Sequence, residues 1–259
     1  MITYAVAVVL AVVQAPARDS LLAEGIRRAA MEPGAALTRF EAILALDSSD
    51  VGANWRAAIA LNDLAEPLTD RTDRPRRDSL LARAQEHARR AVRLAPEDAR
   101  ACFALGLVLG NTALTKGLKQ RVRLSVEIHE VALRAIALDS TLDGPHHLLG
   151  RWNHEVLKLS GFERFIARSL LGAGAFRQAS WLEAQRQLEL AVALDSARIY
   201  HRLELARVYL ARKDTTAALT QLRAIGRLTD RVAADSRYRR EAGDLLVRIL
   251  PNPRDGSGP

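Results

Sequence analysis

One short phrase recurs along this chain and restricts it to a repeat architecture. It reads Ile43-Leu44-Ala45-Leu46-Asp47-Ser48, then Ala91-Val92-Arg93-Leu94-Ala95-Pro96, then Ala135-Ile136-Ala137-Leu138-Asp139-Ser140, then Ala191-Val192-Ala193-Leu194-Asp195-Ser196. A weaker copy, Ile225-Gly226-Arg227-Leu228-Thr229-Asp230, places its leucine 34 residues after Leu194. Self-similarity on this scale marks stacked units, none of which can bury its apolar face alone. The phrase has the character of a helix end: a small residue for close packing, an apolar anchor, then Asp, Ser or Pro to stop or cap. Ala, Leu and Arg dominate while aromatics are only 5%, a mix that disfavours strands and lowers the free energy of helices. The expected fold class is all-α.

Laid out on this period, the sequence resembles the tetratricopeptide repeat, two antiparallel helices of 34 residues with small residues at their crossing. From Ile199 the chain shows Leu205, Ala206, Tyr209 and Ala218 at the repeat's offsets; from Ala99 it shows Leu105 and Gly106, and from Asp143 Leu149 and Gly150. Small residues of the second helices are Ala36, Ala84 with Ala91, and Ala184 with Ala191, whereas Ile128 stands where alanine is expected. The resemblance implies an α-α superhelix, or solenoid, over residues 18–250. Three repeats exceed 34 residues and therefore carry insertions: an exposed loop from Pro67 to Asp78, a lengthened junction near Lys116 to Arg123, and an amphipathic segment from Ser160 to Phe176. A helix after Ala233 should cap the stack, and Pro251 to Pro259 reads as a disordered tail.

A second resemblance is more specific. His146-His147-Leu148-Leu149-Gly150-Arg151-Trp152, Phe162-Glu163-Arg164-Phe165-Ile166-Ala167 and Leu170-Leu171-Gly172 are similar to the regulator of microtubule dynamics family, with its Leu-Gly-x-Trp helix and following Glu-Arg-x-Ile-Ala segment. The likeness extends from about Ala84 to Leu250 and implies a non-catalytic tetratricopeptide-type domain. Eukaryotic members are tied to microtubules and organelle membranes; this chain looks like a bacterial-type, secreted homologue, so the fold is carried over and that role is not.

Export is read from the N-terminus. Ile2 to Val13 is apolar apart from Thr3 and Tyr4, ends at Ala15-Pro16-Ala17, and gives way to Arg18. That pattern is a signal peptide over residues 1–17, although no Lys or Arg precedes it; a misassigned start codon or a buried first helix is the alternative. The run is too short to span a bilayer. A periplasmic or membrane-associated location is expected. The net charge is +8 and Lys116, Lys119, Lys158 and Lys213 are the only lysines, a bias that reads as a GC-rich coding imprint and weakens any argument from basicity. A basic surface still favours acidic partners and anionic lipid headgroups over nucleic acid in an exported protein. Cys102, the single cysteine, rules out a disulfide framework and reads as a small buried hydrophobe rather than a reactive thiol.

No catalytic motif is legible. Gly172-Ala173-Gly174 lacks a third glycine and a preceding strand, and His129-Glu130 and His154-Glu155 lack a second histidine four residues after the first. No cofactor is implied. The candidate residues are those that the repeat's geometry sets on the concave face of each first helix: Trp55 and Ile59, Phe103 and Leu107, His147, Arg151 and His154, then Leu203 and Arg207. His147, Arg151 and His154 share a helix face at i, i+4 and i+7, open to three readings: a metal site, a solvated basic face, or ligand contact. The groove so drawn is aromatic and apolar at one end and basic at the other. It suits an acidic or amphipathic protein segment, or alternatively a phospholipid-like ligand, unless insertions or the cap helix fill it. Phe162, Phe165, Ile166, Leu170 and Leu171 form one helix face, either packed on the solenoid or offered to a membrane or partner.

Overall fold

Helix starts follow the acidic and hydroxyl residues that the sequence supplies. The computed structural model describes residues 17–170 and 174–250; the expected signal peptide, apart from Ala17, and the expected tail lie outside them. The chain divides into two compact units, Met1–Leu138 and Asp139–Pro259. In the first, the described helices are α1 (residues 17–29), α2 (Pro33–Leu46), α3 (Val51–Ala65), α4 (Arg74–Leu94), α5 (Ala99–Ala113) and α6 (Leu118–Leu138). In the second they are α7 (Asp143–Lys158), α8 (Gly161–Leu170), a 3-10 turn (Gly174–Arg177), α9 (Trp181–Leu194), α10 (Ile199–Ala211), α11 (Thr215–Ile225) and α12 (Asp235–Ile249). Asp50, Asp98 and Asp214 cap α3, α5 and α11 by accepting backbone N–H groups, Asp50 from Ala53 at 2.7 Å, each cap stabilising by about 1 kcal/mol. Ser160 and Glu163 form a reciprocal capping box at the start of α8, with bonds of 2.9 and 3.1 Å.

Packing pairs each first helix with its second. In the first unit α3 packs on α4 and α5 on α6, and the two first helices α3 and α5 lie against each other; in the second α7 packs on α9 and α10 on α11, and α12 closes on both α10 and α11. The small residues sit where the resemblance requires: Ala36, Ala84, Ala91, Ala184 and Ala191 are fully buried. A Cβ on Gly150 would lie 2.6 Å from Leu188 Cγ, so α7 and α9 approach too closely for any larger residue.

The recurring leucines behave differently from the expected anchors. Leu46, Leu94, Leu138 and Leu194 are 39–49% exposed, and the buried contact comes three residues earlier from Ile43, Ala91, Ala135 and Ala191. The aspartate after the leucine organises the turn: Asp47 accepts from the N–H and hydroxyl of Ser49, Asp139 from those of Thr141, and Asp195 from the N–H of Ala197. The first insertion is also shorter as a loop than expected. Arg74 to Asp78 belong to α4, because Pro75 sits in the first turn, where its missing N–H leaves no bond unmade.

One polar contact recurs in successive repeats. At matching positions of α3, α5, α7 and α10, the side chains of Asn54, Cys102, His146 and Arg202 bond the carbonyl six residues earlier, at Ser48, Pro96, Ser140 and Ser196. Three of the four also bond a matching residue of the partner helix: Asn54 with His87 (3.1 Å), His146 with Gln187 (2.6 Å) and Arg202 with Gln221 (2.8 Å). Four different residue types thus pin the turn by one geometry. Cys102 is fully buried and burial pushes its thiol up, which makes it a packing residue and a poor nucleophile.

Candidate functional site

The two units treat their candidate residues differently. In the first unit Trp55 and Ile59 on α3 and Phe103 and Leu107 on α5 are all half-buried, while Ala57, Ala58, Leu61, Cys102, Leu105 and Val108 behind them are at most 3% exposed. Because α3 and α5 pack together, these four side chains make one apolar strip above the core. Arg56 borders it, its guanidinium carbon 3.9 Å from the Trp55 ring centre, a separation at which the ring's negative face attracts the cation. Its one hydrogen bond among the described residues is from Nη1 to Gly52 O at 3.1 Å. Burial pushes the Arg56 pKa down and the charge of Arg100 pushes it further, opposed by Asp50 and Asp98. Both carboxylates are engaged elsewhere: Asp50 pairs with Arg18 at 2.6 Å and caps α3, and Asp98 caps α5. Among the described residues neither Arg56 nor Arg100 has a carboxylate at ion-pair distance. The sequence reading missed both arginines, though Arg100, Phe103 and Leu107 fall on one face at i, i+3 and i+7.

In the second unit the candidate residues are largely covered, the alternative in which the cap helix fills the groove. His147 is 7% exposed, His154 6% and Leu203 fully buried, while Arg151 and Arg207 are half-buried. The cap helix supplies the cover: Tyr238 of α12 stacks on Tyr200 of α10 at 4.4 Å, and Glu241 accepts from Arg207 Nη2 at 2.6 Å. His147, His154 and Leu203 are therefore interior residues in the chain without ligand. His147 lies 4.4 Å from the Tyr200 ring and shares a hydrogen between its Nδ1 and that of His201 at 3.0 Å; His201 Nε2 donates to Asp143 at 2.7 Å. Glu204 is bonded by Arg207 and stands 3.7 Å from His154 Nδ1.

Electrostatics follow from this burial. Burial would raise the Asp143 carboxyl, yet the His201 hydrogen bond and charge outweigh it and hold the group at about 2. The same contest at Glu204, with His154, Arg151 and Arg207 opposing burial, leaves the carboxyl far below its usual range. Burial, followed by the charge of His201, pushes His147 well down. Burial alone would lower the Arg151 pKa, but Tyr200, Glu204 and Glu155 more than reverse it. Among the described residues His147 Nε2 has no hydrogen-bond partner, which costs about 1–3 kcal/mol for a buried polar atom left unpaired; His154 Nδ1 faces the Glu204 carboxylate at 3.7 Å, beyond hydrogen-bond distance. Among the described residues no three His, Cys, Asp or Glu side chains converge to hold a metal ion, and no helix is long and apolar enough to cross a membrane.

The inserted helix α8 departs from the packed reading. Phe162 and Phe165 are 72% and 56% exposed, while Ala167 is buried; Arg164 ties the helix back by donating to Leu157 O at 2.8 Å. The side chains of Ile166, Leu170 and Leu171 lie outside the described residues.

Known proteins place this geometry. The chain is similar to a thermophilic tetratricopeptide protein of Thermus thermophilus, with a TM-score of 0.61 at 19% identity over 89% of this chain and 99% of that one. A monomeric mutant of IFIT1 with Gppp-AAAA gives a TM-score of 0.50 at 16% identity over 84% of this chain and 51% of that one. Both are likenesses of fold. Regulator of microtubule dynamics protein 3 of Bos taurus is 31% identical over 116 residues, and that of Rattus norvegicus 29%; the match covers 45% of this chain and only 24% of each relative. The model of the regulator of microtubule dynamics protein 1-3 family matches residues 20–249, and with its tetratricopeptide-like, all-helical fold the chain belongs to that family.

Proposed function

We propose that this chain is a non-catalytic interaction module that seats an acidic, amphipathic peptide segment on the α3/α5 face of the first unit. One observation carries the reading: the half-buried strip of Trp55, Ile59, Phe103 and Leu107 is bordered by two guanidiniums, Arg56 and Arg100, that lack carboxylate partners among the described residues. Two like charges set near each other at a partly desolvated surface repel, and an incoming carboxylate relieves that repulsion while the apolar strip takes the adjoining side chains. The family's name speaks of microtubules; the proposal carries only the binding of a protein segment.

The test is a peptide-display selection against the full chain, followed by affinity measurements on an acidic, amphipathic binder. Leu107→Asp should weaken it at least tenfold and Arg56→Gln by several-fold, with the Arg56 effect shrinking as salt rises. Binding indifferent to both substitutions would overturn the assignment. A lipid with an anionic head presents the same chemistry and is the second reading. Native mass spectrometry of the chain from its own host, with organic extraction, separates a bound lipid from a bound polypeptide. Export belongs to the same proposal, and N-terminal sequencing of the purified protein should begin at Arg18.

A further inference from the structure

Beyond the α3/α5 face, the second unit holds polar groups whose bonds are incomplete. His147 is more than nine-tenths buried, one of its ring nitrogens is bonded to His201, and the other, Nε2, has no partner among the described residues. Arg151 follows one turn later on the same face of α7. Its guanidinium makes no hydrogen bond or ion pair among the described residues and stands 5.7 Å from the Tyr200 ring centre, the same ring that the His147 imidazole approaches to 4.4 Å. Arg207, the matching residue of α10, by contrast commits its donors to Glu204 and Glu241. Two groups without hydrogen-bond partners among the described residues, five guanidinium donors and one imidazole nitrogen, thus lie beside one aromatic ring.

We infer that Arg151 and His147 Nε2 form an oxyanion site in the second unit, taking one carboxylate or phosphate group. The planar guanidinium presents two parallel donors to such a group, and the imidazole supplies a third from the side. The supporting relay determines whether it can. Asp143 is ionised and accepts only, so His201 Nε2 carries a hydrogen. The hydrogen between the two Nδ1 atoms belongs to one ring at a time. When His147 owns it, Nε2 is a bare lone pair; when His201 owns it, the relay holds an imidazolium on His201 and Nε2–H becomes a donor. An oxyanion selects the second arrangement, and binding takes up one proton wherever the free relay is neutral.

The charges facing this relay are few. From α7 come Asp143, Arg151, His154 and Glu155, the last paired with Lys158; from α10 come His201, Glu204 and Arg207, with Tyr200 between them, and Arg198 just before α10 acts on Asp143. Helix α12 brings Tyr238 and Glu241, and α9 turns Gln187 and Trp181 toward the α7 histidines, neither ionisable. Glu204 and Glu241 are both held by Arg207. A monoanion and a proton entering together leave the net charge of this cluster unchanged, which is why the proton is part of the site.

Nitrogen-15 histidine spectra of the full chain, titrated separately with inorganic phosphate and with acetate, test this. Either anion should shift the His147 Nε2 resonance with millimolar affinity, and affinity should rise by up to about tenfold per unit fall in pH. Phosphate alone, acetate alone or both responding each support the site and identify the group it prefers. Arg151→Gln should weaken binding at least tenfold, whereas Arg240→Gln, on an exposed face of α12, should leave it unchanged. His201→Gln keeps a hydrogen-bonding bridge to Asp143 but no titratable link, and should flatten the pH dependence. A His147 resonance indifferent to both anions, or equal binding by a folded Arg151→Gln chain, overturns the proposal. Binding without pH dependence in the unsubstituted chain overturns its relay.

Discussion

The same substitution, glycine to alanine, should act with opposite sign at two helical positions of the second unit. Gly150 lies inside α7 and Gly243 inside α12. In both helices alanine gains about 1 kcal/mol over glycine from backbone entropy alone. At Gly243 a new Cβ meets nothing within 4 Å, so that gain stands and the variant should be stabilised by about 0.5–1 kcal/mol. At Gly150 the Cβ would fall 2.6 Å from Leu188 Cγ and 3.1 Å from Ala184 O. The obstacle is the branch point of a fully buried side chain and a backbone carbonyl, neither of which can swing aside. Forcing a methyl into such a contact costs about 1–3 kcal/mol, so Gly150→Ala should be destabilised by up to about 2 kcal/mol after the helix gain is subtracted. The difference between the two variants cancels the propensity term and measures the overpacking directly. Urea unfolding midpoints at matched m-values read it out. Equal stabilisation of both variants would show that α7 and α9 do not approach as closely as 2.6 Å implies.

Asn54→Ala removes one side chain from a fully buried position and leaves His87 Nδ1 and Ser48 O without their partner; a loss of about 2–3 kcal/mol is expected in denaturant unfolding. The chain itself supplies the repair, since the matching pair in the next repeat is Cys102 with Val131: Asn54→Cys combined with His87→Val should cost less than the two single changes added together. Asp214→Ala should cost about 1 kcal/mol, because the Asp214 carboxylate accepts from Ala217 N–H at 2.9 Å and α11 has no other side-chain N-cap.

Much of the fold was legible because repeat physics is local. Small residues at fixed offsets, such as Ala84 and Ala184, report a helix crossing wherever they occur, and the structure buries them as expected. The recurring leucines were misread for a related reason. Periodicity marks a helix end but not the direction in which a single residue of the last turn points, and Leu46 and Leu94 point outward. The site was legible only by halves. Trp55 and Phe103 are half-buried, whereas His147 and His154 are enclosed with the help of a helix far along the chain, through Tyr238 and Glu241. No offset within α7 encodes that cover. Nor does spacing show that Asp50 and Asp98 serve as caps and that neither pairs directly with Arg56 or Arg100. That fact is about competition for a carboxylate, and it appears only when every partner is placed.

Burial of neutral histidines should make each unit acid-sensitive well above the carboxylate range. His129 in the first unit and His147 in the second are each 7% exposed, and burial lowers the pKa of both below 6.5. The unfolded chain protonates such imidazoles below about pH 6.5, so there it binds more protons than the native state. Stability therefore rises with pH in that range, and is lost as pH falls below the unfolded value, by about 1.4 kcal/mol per pH unit for each group. Asp143 has the usual carboxylate sign: its depressed pKa stabilises the fold above about 3.8 and that contribution disappears as pH falls toward 2. Partial solvent screening limits it to about 1–2 kcal/mol. Denaturant unfolding measured from pH 7.5 downward should accordingly lose stability between about 6.5 and 5, before any carboxylate titrates. His129→Gln should flatten the slope for the first unit. A stability unchanged down to the carboxylate range would mean that water or a counter-charge reaches both rings, and the closed cover over His147 would then be wrong.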